Sequence, residues 1–329
     1  MRDSKPSWQK ILAQGFNSAA ELLSFLQLPP ELGSTVAEQQ FKTRVPRRFA
    51  GLMERGNPAD PLLLQVLAQA QETEAHAGFV KDPLQERDTN PVAGLIHKYD
   101  GRVLLTLSSA CAINCRYCFR RHFPYEENNP GQHGWQQALE YIANNDSIFE
   151  IILSGGDPLL VKNPMLQIFL DKLAAVSHVR ILRIHSRVPI VLPERIDADF
   201  IDLLAASRLQ KVIVVHSNHP NELDEHVAQA CFALKRAGCH LLNQSVLLAG
   251  VNDDAATLAK LSKRLFEIGI LPYYLHLLDK VEGAAHFDTP SQVAETTFKE
   301  LQAQLPGYLV PRLTREVAGE RNKILVNIS

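Results

Sequence analysis

The chain has 329 residues, 46% of them hydrophobic, and a formal net charge of −2, which suits one large α/β domain with a smaller appendage. Near-neutral charge gives no electrostatic reason to expect a nucleic acid or an anionic membrane as partner. No apolar run approaches the roughly 20 residues of a membrane span, and Met1-Arg2-Asp3-Ser4-Lys5 leads into no signal-peptide core; the expected location is therefore cytoplasmic, where clustered cysteines suggest metal rather than disulfide.

Residues 1–90 read as a helical region. Ser18 followed by Glu21 makes a capping-box pattern ahead of Leu22, Leu23, Phe25 and Leu26, and Pro29-Pro30 ends that helix. Pro46 opens a second helix that Gly56 closes, and Asp60-Pro61 starts a third with Leu62, Leu63, Val66 and Leu67 along one side. Pro83 to Pro91 reads as an extended linker.

From Arg102 the pattern becomes strand, loop and helix, repeated. Candidate strands cover 102–107, 150–153, 179–184, 212–215, 241–246 and 273–278, and after a longer first step they recur at about 30 residues, the size of a βαβ unit. Helices fill the gaps: one after Gly131, one opened by Asn163-Pro164, and others over 201–204, 221–237 and 255–266. Short apolar runs alternating with helices predict a parallel sheet covered by helices. Six units make a partial (β/α)6 barrel over 91–285, preceded by the helical region and followed by a C-terminal extension over 286–329. Cys231 and Cys239, on a helix and just past its end, read as core thiols.

Barrel strands deliver their chemistry at their C-terminal ends, and polar residues stand there in each unit. A cysteine loop follows the first strand and Ser154-Gly155-Gly156-Asp157-Pro158 the second. His185-Ser186-Arg187 follows the third, His216-Ser217-Asn218-His219 the fourth, Asn243-Gln244-Ser245 lies in the fifth, and Asp279-Lys280 follows the sixth. In the cysteine loop Cys111, Cys115 and Cys118 are spaced C-x3-C-x2-C. A structural zinc site commonly takes four ligands; three thiolates with no fourth nearby instead leave one iron of a [4Fe–4S] cluster open to a chelating molecule.

C-x3-C-x2-C, with the aromatic Tyr117 before the last cysteine, resembles the signature of radical S-adenosylmethionine (SAM) enzymes. In such enzymes a Gly-Gly-Asp/Glu motif contacts the methionine amino group. That resemblance assigns Gly155 and Gly156 to close backbone approach and Asp157 to the ammonium; alone, Gly-Gly-Asp-Pro is a common turn. The longer runs are more specific. Arg102-Val-Leu-Leu, Cys118-Phe-Arg-Arg-His-Phe-Pro-Tyr125, Ser154-Gly-Gly-Asp-Pro-Leu, Arg183-Ile-His-Ser-Arg-Val-Pro, His216-Ser-Asn-His-Pro-Asn-Glu and Asn243-Gln-Ser-Val-Leu-Leu resemble the lysine 2,3-aminomutase family. The nearest likeness is to its short branch, which makes (R)-β-lysine for modifying translation elongation factor P.

That resemblance implies an isomerase that moves the amino group of L-lysine from Cα to Cβ, using a [4Fe–4S] cluster on Cys111, Cys115 and Cys118, SAM, and pyridoxal 5′-phosphate (PLP). It implies Lys323 as the Schiff-base lysine, Tyr99 and Arg102 at the PLP, His216 and Gln244 among the SAM contacts, and Arg120 at the substrate carboxylate, where a planar guanidinium matches bidentately. Asp279 and Glu316 would meet the substrate side-chain ammonium, which needs acidic partners in a water-poor site. Two departures stand out: Glu316 replaces the aspartate of lysine-specific relatives, and Val317-Ala-Gly-Glu-Arg-Asn-Lys323 keeps only Gly319 of a glycine-rich segment. No cysteine follows Cys239, so the zinc of the large aminomutases is not expected, and any homo-oligomer has to be held another way. The implied partners are an electron donor such as flavodoxin or ferredoxin, elongation factor P and its lysyl ligase. Alternatives at this stage are an aminomutase making free β-lysine for another pathway, a radical SAM enzyme without PLP, and a non-catalytic cluster protein.

Overall fold

A computed structural model describes residues 7–85, 90–123, 131–320 and 322–327, with no side chains described for 131–134. Part of the expected linker (86–89), the opening residues 1–6, Pro124, Tyr125 and Arg321 lie outside the described residues.

Nine strands among the described residues form one sheet in chain order. They are β1 Leu95–Tyr99, β2 Arg102–Ser108, β3 Glu150–Gly155, β4 Ile181–Ser186, β5 Gln210–His216, β6 Cys239–Val246, β7 Leu271–His276, β8 Arg312–Arg315 and β9 Ile324–Leu325. β2 to β8 run parallel, and β1 and β9 turn back antiparallel on either edge. The sheet is not closed by hydrogen bonds; it is a partial barrel. All six expected strands are present within two residues at each end. β8, a seventh parallel strand, was not expected, and with β9 it makes the segment after residue 285 continuous with the barrel sheet.

The intervening helices form where an N-cap meets an apolar stripe. Asp254 caps Ala255–Glu267 by accepting from the Thr257 N–H at 2.8 Å, and Leu258, Leu261 and Leu265 recur on its buried face. Such a cap contributes about 1 kcal/mol. Along β4 the two-residue period puts Leu182, Ile184 and Ser186 among the most buried positions and turns Arg183 and His185 into the barrel. Cys231 and Cys239 are both buried in the main apolar core, Cys239 as the first residue of β6.

The N-terminal region is made of short turns of helix. Ala19–Phe25 is capped by Ser18, whose Oγ accepts from the Glu21 N–H at 3.2 Å, while the Glu21 carboxylate reaches the Asn17 N–H. The helix after Pro46 is Arg47–Ala50 and ends at Gly51 rather than at Gly56, and the one after Asp60 is Pro61–Leu64. Leu22, Leu23, Leu62 and Leu63 are fully buried and join the barrel core.

Candidate active site

One cavity of about 520 Å³ runs through the barrel, within the size range of small-molecule sites. Its wall includes Cys111, Cys115, Cys118, Arg120, Gly155, Gly156, Asp157, His216, Gln244, Asp279, Glu316, Lys323, Tyr99 and Arg102, so every site residue expected from the sequence meets there. Arg102 and Arg312 start β2 and β8, whereas the cysteine loop, Gly155 and His216 lie at the opposite, C-terminal ends of their strands. Seven lining side chains are Lys or Arg and three are Asp or Glu, a balance that favours ligands carrying carboxylate or phosphate.

At the cluster end the three cysteines are half-buried on the cavity wall. Burial, then the neighbouring Cys118, pushes the Cys111 thiol well up, and burial, then Cys115, takes Cys118 to about 11. Such thiols keep their protons until a cation binds, and iron would displace them. Among the described residues no three His, Cys, Asp or Glu side chains converge on a single metal ion. Three cysteine sulfurs from one loop, all on the wall of one cavity, are by their chemistry a donor set suited to three corners of a [4Fe–4S] cluster.

The Gly-Gly-Asp turn is more internally engaged than the sequence suggests. A Cβ on Gly156 would lie 2.6 Å from the Ala110 carbonyl oxygen, and one on Gly155, at φ +106°, 2.5 Å from Thr106 Cγ2. The Gly156 and Asp157 N–H groups donate to the Ser108 and Ala110 carbonyls at 2.9 and 2.8 Å. The glycines thus let β3 press against the strand end that carries the cysteines. The Asp157 carboxylate accepts from Ser186 Oγ at 2.7 Å and from the N–H groups of Leu159, Arg187 and Val188 at 3.0, 2.9 and 3.1 Å. It pins the β3 and β4 loops together. Of Asn243-Gln244-Ser245 only Gln244 lines the cavity; Asn243 and Ser245 instead bond Ser217 at 2.9 and 2.8 Å.

Farther along the cavity, Arg120 is nearly buried and donates to Ser154 Oγ at 3.2 Å. Arg102 lies over the Tyr99 ring at 4.7 Å. Glu316 bridges the two edges of the sheet. Its carboxylate accepts from Tyr99 Oη at 3.0 Å and Lys98 Nζ at 3.4 Å and forms an ion pair with Lys323. Burial raises its pKa, but Lys323, with help from Lys98 and Tyr99, outweighs that and brings it down to about 2. Lys323 is therefore held in the cavity wall by a half-buried carboxylate that also bonds Tyr99. A primary amine with arginines close by fits an aldehyde-bearing phosphate such as PLP. His276, bonded through Nδ1 to Thr314 Oγ1 at 3.1 Å, is lowered to about 3, by burial first and then by Lys323.

Lys98 and Arg312 are cavity residues that the sequence reading missed. Lys98 stands beside Tyr99 and could have been noticed there; Arg312 sits on the unexpected β8. Arg187, given no role of its own from the sequence, also lines the cavity and donates to Cys115 Sγ.

The parallel partial barrel and the three thiols at its C-terminal rim define a radical SAM enzyme. Residues 100–182 match a family model described as a 4Fe-4S single cluster domain. The chain is 49% identical to "L-lysine 2,3-aminomutase" of Escherichia coli (strain K12), over 97% of this chain and 94% of that protein. It is 34% identical to the protein of the same name from Clostridium subterminale, over 96% of this chain and 76% of that one. Among solved structures, a radical SAM methyltransferase from Sphaerobacter thermophilus matches with a TM-score of 0.48 at 19% identity, covering 67% of this chain and 68% of that chain. The chain belongs to the L-lysine 2,3-aminomutase family.

Proposed function

We propose that this enzyme converts (S)-α-lysine to (R)-β-lysine with a [4Fe–4S] cluster, SAM and PLP, in the cytoplasm, and that its product serves the modification of elongation factor P. The family supports the reaction; the observation that carries the PLP-dependent form of it is Lys323 in the wall of the cavity that also holds the three cysteines. A cluster held by Cys111, Cys115 and Cys118, with SAM bound to it, would supply the chemistry needed to take hydrogen from an unactivated carbon. PLP supplies a π system through which nitrogen can pass between adjacent carbons.

The chain's own residues supply position and charge. Arg120, oriented by Ser154, presents its fork to the substrate carboxylate. Asp279 and Glu316 face the side-chain ammonium, a pair that selects lysine over glutamate. Lys323 anchors PLP, with Tyr99 against it and Arg102 at its phosphate. Apolar walls from Ile96, Val103, Ile113 and Ile152 keep water from a reactive carbon radical. Borohydride treatment of enzyme loaded with PLP tests the anchor: a pyridoxyl mass is expected on the peptide containing Lys323 and none in Lys323→Ala. Pyridoxyl on another lysine would remove Lys323 from the role.

A further inference from the structure

We propose that Arg187 is a positioning residue for the iron–sulfur cluster, and that its buried cation raises the cluster's reduction potential by donating a hydrogen bond to the Cys115 thiolate. The proposal rests on the reading that Cys111, Cys115 and Cys118 hold that cluster. Arg187 follows β4 and is 7% exposed. Its Nη1 donates to Cys115 Sγ and to Tyr117 Oη, each at 2.7 Å. Its Nη2 donates to Gln65 Oε1 at 2.7 Å and to Glu222 Oε2 at 3.1 Å.

The surroundings make this a built arrangement. Glu222 is fully buried, and its Oε1 accepts from the Asn218 and His219 N–H groups at 2.9 and 3.0 Å. Asn218 Nδ2 donates to Tyr117 Oη at 2.7 Å. Segments from the N-terminal region, the cysteine loop, the β4 end and the β5 loop thus converge to hold one guanidinium against one cysteine sulfur. The Ser-Arg-Val-Pro and His-Ser-Asn-His-Pro-Asn-Glu runs, which no other part of the site accounts for as wholes, acquire a purpose here.

Reduction of the cluster from the 2+ to the 1+ state adds one electron and no proton. The three-thiolate assembly gains negative charge on cysteines that are only partly exposed to solvent, and that is costly. A charge-assisted hydrogen bond to a ligating sulfur stabilises the added charge and makes reduction easier. Glu222, on the far side of the guanidinium, moderates the effect. The two charges therefore act on the potential with opposite signs, which a purely structural role in knitting the loop would not produce.

The test is a redox titration of the anaerobically reconstituted full chain, without SAM or lysine, read by visible absorbance and electron paramagnetic resonance, with iron and sulfide content determined alongside. In Arg187→Gln the ratio of reduced to oxidised cluster at the wild-type midpoint should fall about tenfold, the order such a bond contributes. Glu222→Gln should raise that ratio, and Arg187→Lys should restore it toward wild type. If Arg187→Gln does not hold the cluster, the sign of the Glu222→Gln shift decides. Midpoints that stay put in cluster-loaded variants, or that move in the same direction for both charges, overturn the proposal. A wild-type chain that takes up no four-iron cluster instead overturns the reading beneath it, and the iron content tells these failures apart.

Discussion

Glu316 and His276 show how single side chains meet the electrostatics of the cavity. Glu316 already neutralises Lys323, so a substrate ammonium would share or replace that partner. Glu316→Gln should raise KM for L-lysine roughly tenfold or more, since hydrogen bonds to charged groups contribute about 1.5–3 kcal/mol; an unchanged KM would leave Glu316 only as the counter-ion of Lys323. His276 gives a pH prediction. Its folded pKa of about 3 lies below the ordinary value of 6.5, so its stabilising contribution is present above pH 6.5 and is lost as pH falls toward 3. In that window the unfolded chain binds a proton that the folded chain refuses, costing up to about 1.4 kcal/mol per pH unit. His185 and His216 are lowered in the same direction, by burial first. His276→Gln should therefore flatten part, not all, of the fall in Tm between pH 6.5 and 4.5.

The parallel strands β2 to β7 were legible because each is a short apolar run ending in polar residues. β8 was not. Arg312–Arg315 buries only Leu313 and Thr314 between exposed arginines and shows no apolar run. It is a strand because its neighbour β7 offers a parallel edge, with Tyr274 opposite Arg312 and His276 opposite Thr314. The Gly-Gly-Asp turn was legible as a site element, but not as a brace, because the close approach of residues 155–156 to the β2 end is a tertiary contact. Gly156→Ala tests the brace. A Cβ 2.6 Å from a carbonyl oxygen must push backbone aside, and such overpacking costs typically 1–3 kcal/mol. The expected result is a lowered Tm together with reduced iron uptake; full iron content at wild-type Tm would contradict it.

Across the whole molecule, the N-terminal region holds the cysteine loop. Glu72 is fully buried and bonds both Arg116 and Arg121 of that loop, with Arg116 Nε at 2.8 Å and Arg121 Nη2 at 2.8 Å. Arg116 Nη1 donates to the Phe41 carbonyl at 2.6 Å, and Asn114 Nδ2 to Lys42 at 2.7 Å. Partners 44 residues apart in sequence carry no periodic signal, so this clamp could not be read from the chain alone, and neither were the short helical turns beside it, Thr35–Gln40 and Ala70–Thr73. Glu72→Ala leaves two buried guanidinium groups without their carboxylate and should cost about 3–5 kcal/mol, seen in thermal unfolding, with weakened cluster retention. The measurement that bears most directly on the function is an anaerobic assay with SAM, PLP, dithionite and L-lysine, with products resolved by NMR and chiral chromatography and SAM quantified in parallel. Accumulation of (R)-β-lysine well in excess of SAM consumed, lost in Lys323→Ala, is the expected result. SAM cleavage that leaves lysine unchanged would contradict the aminomutase assignment.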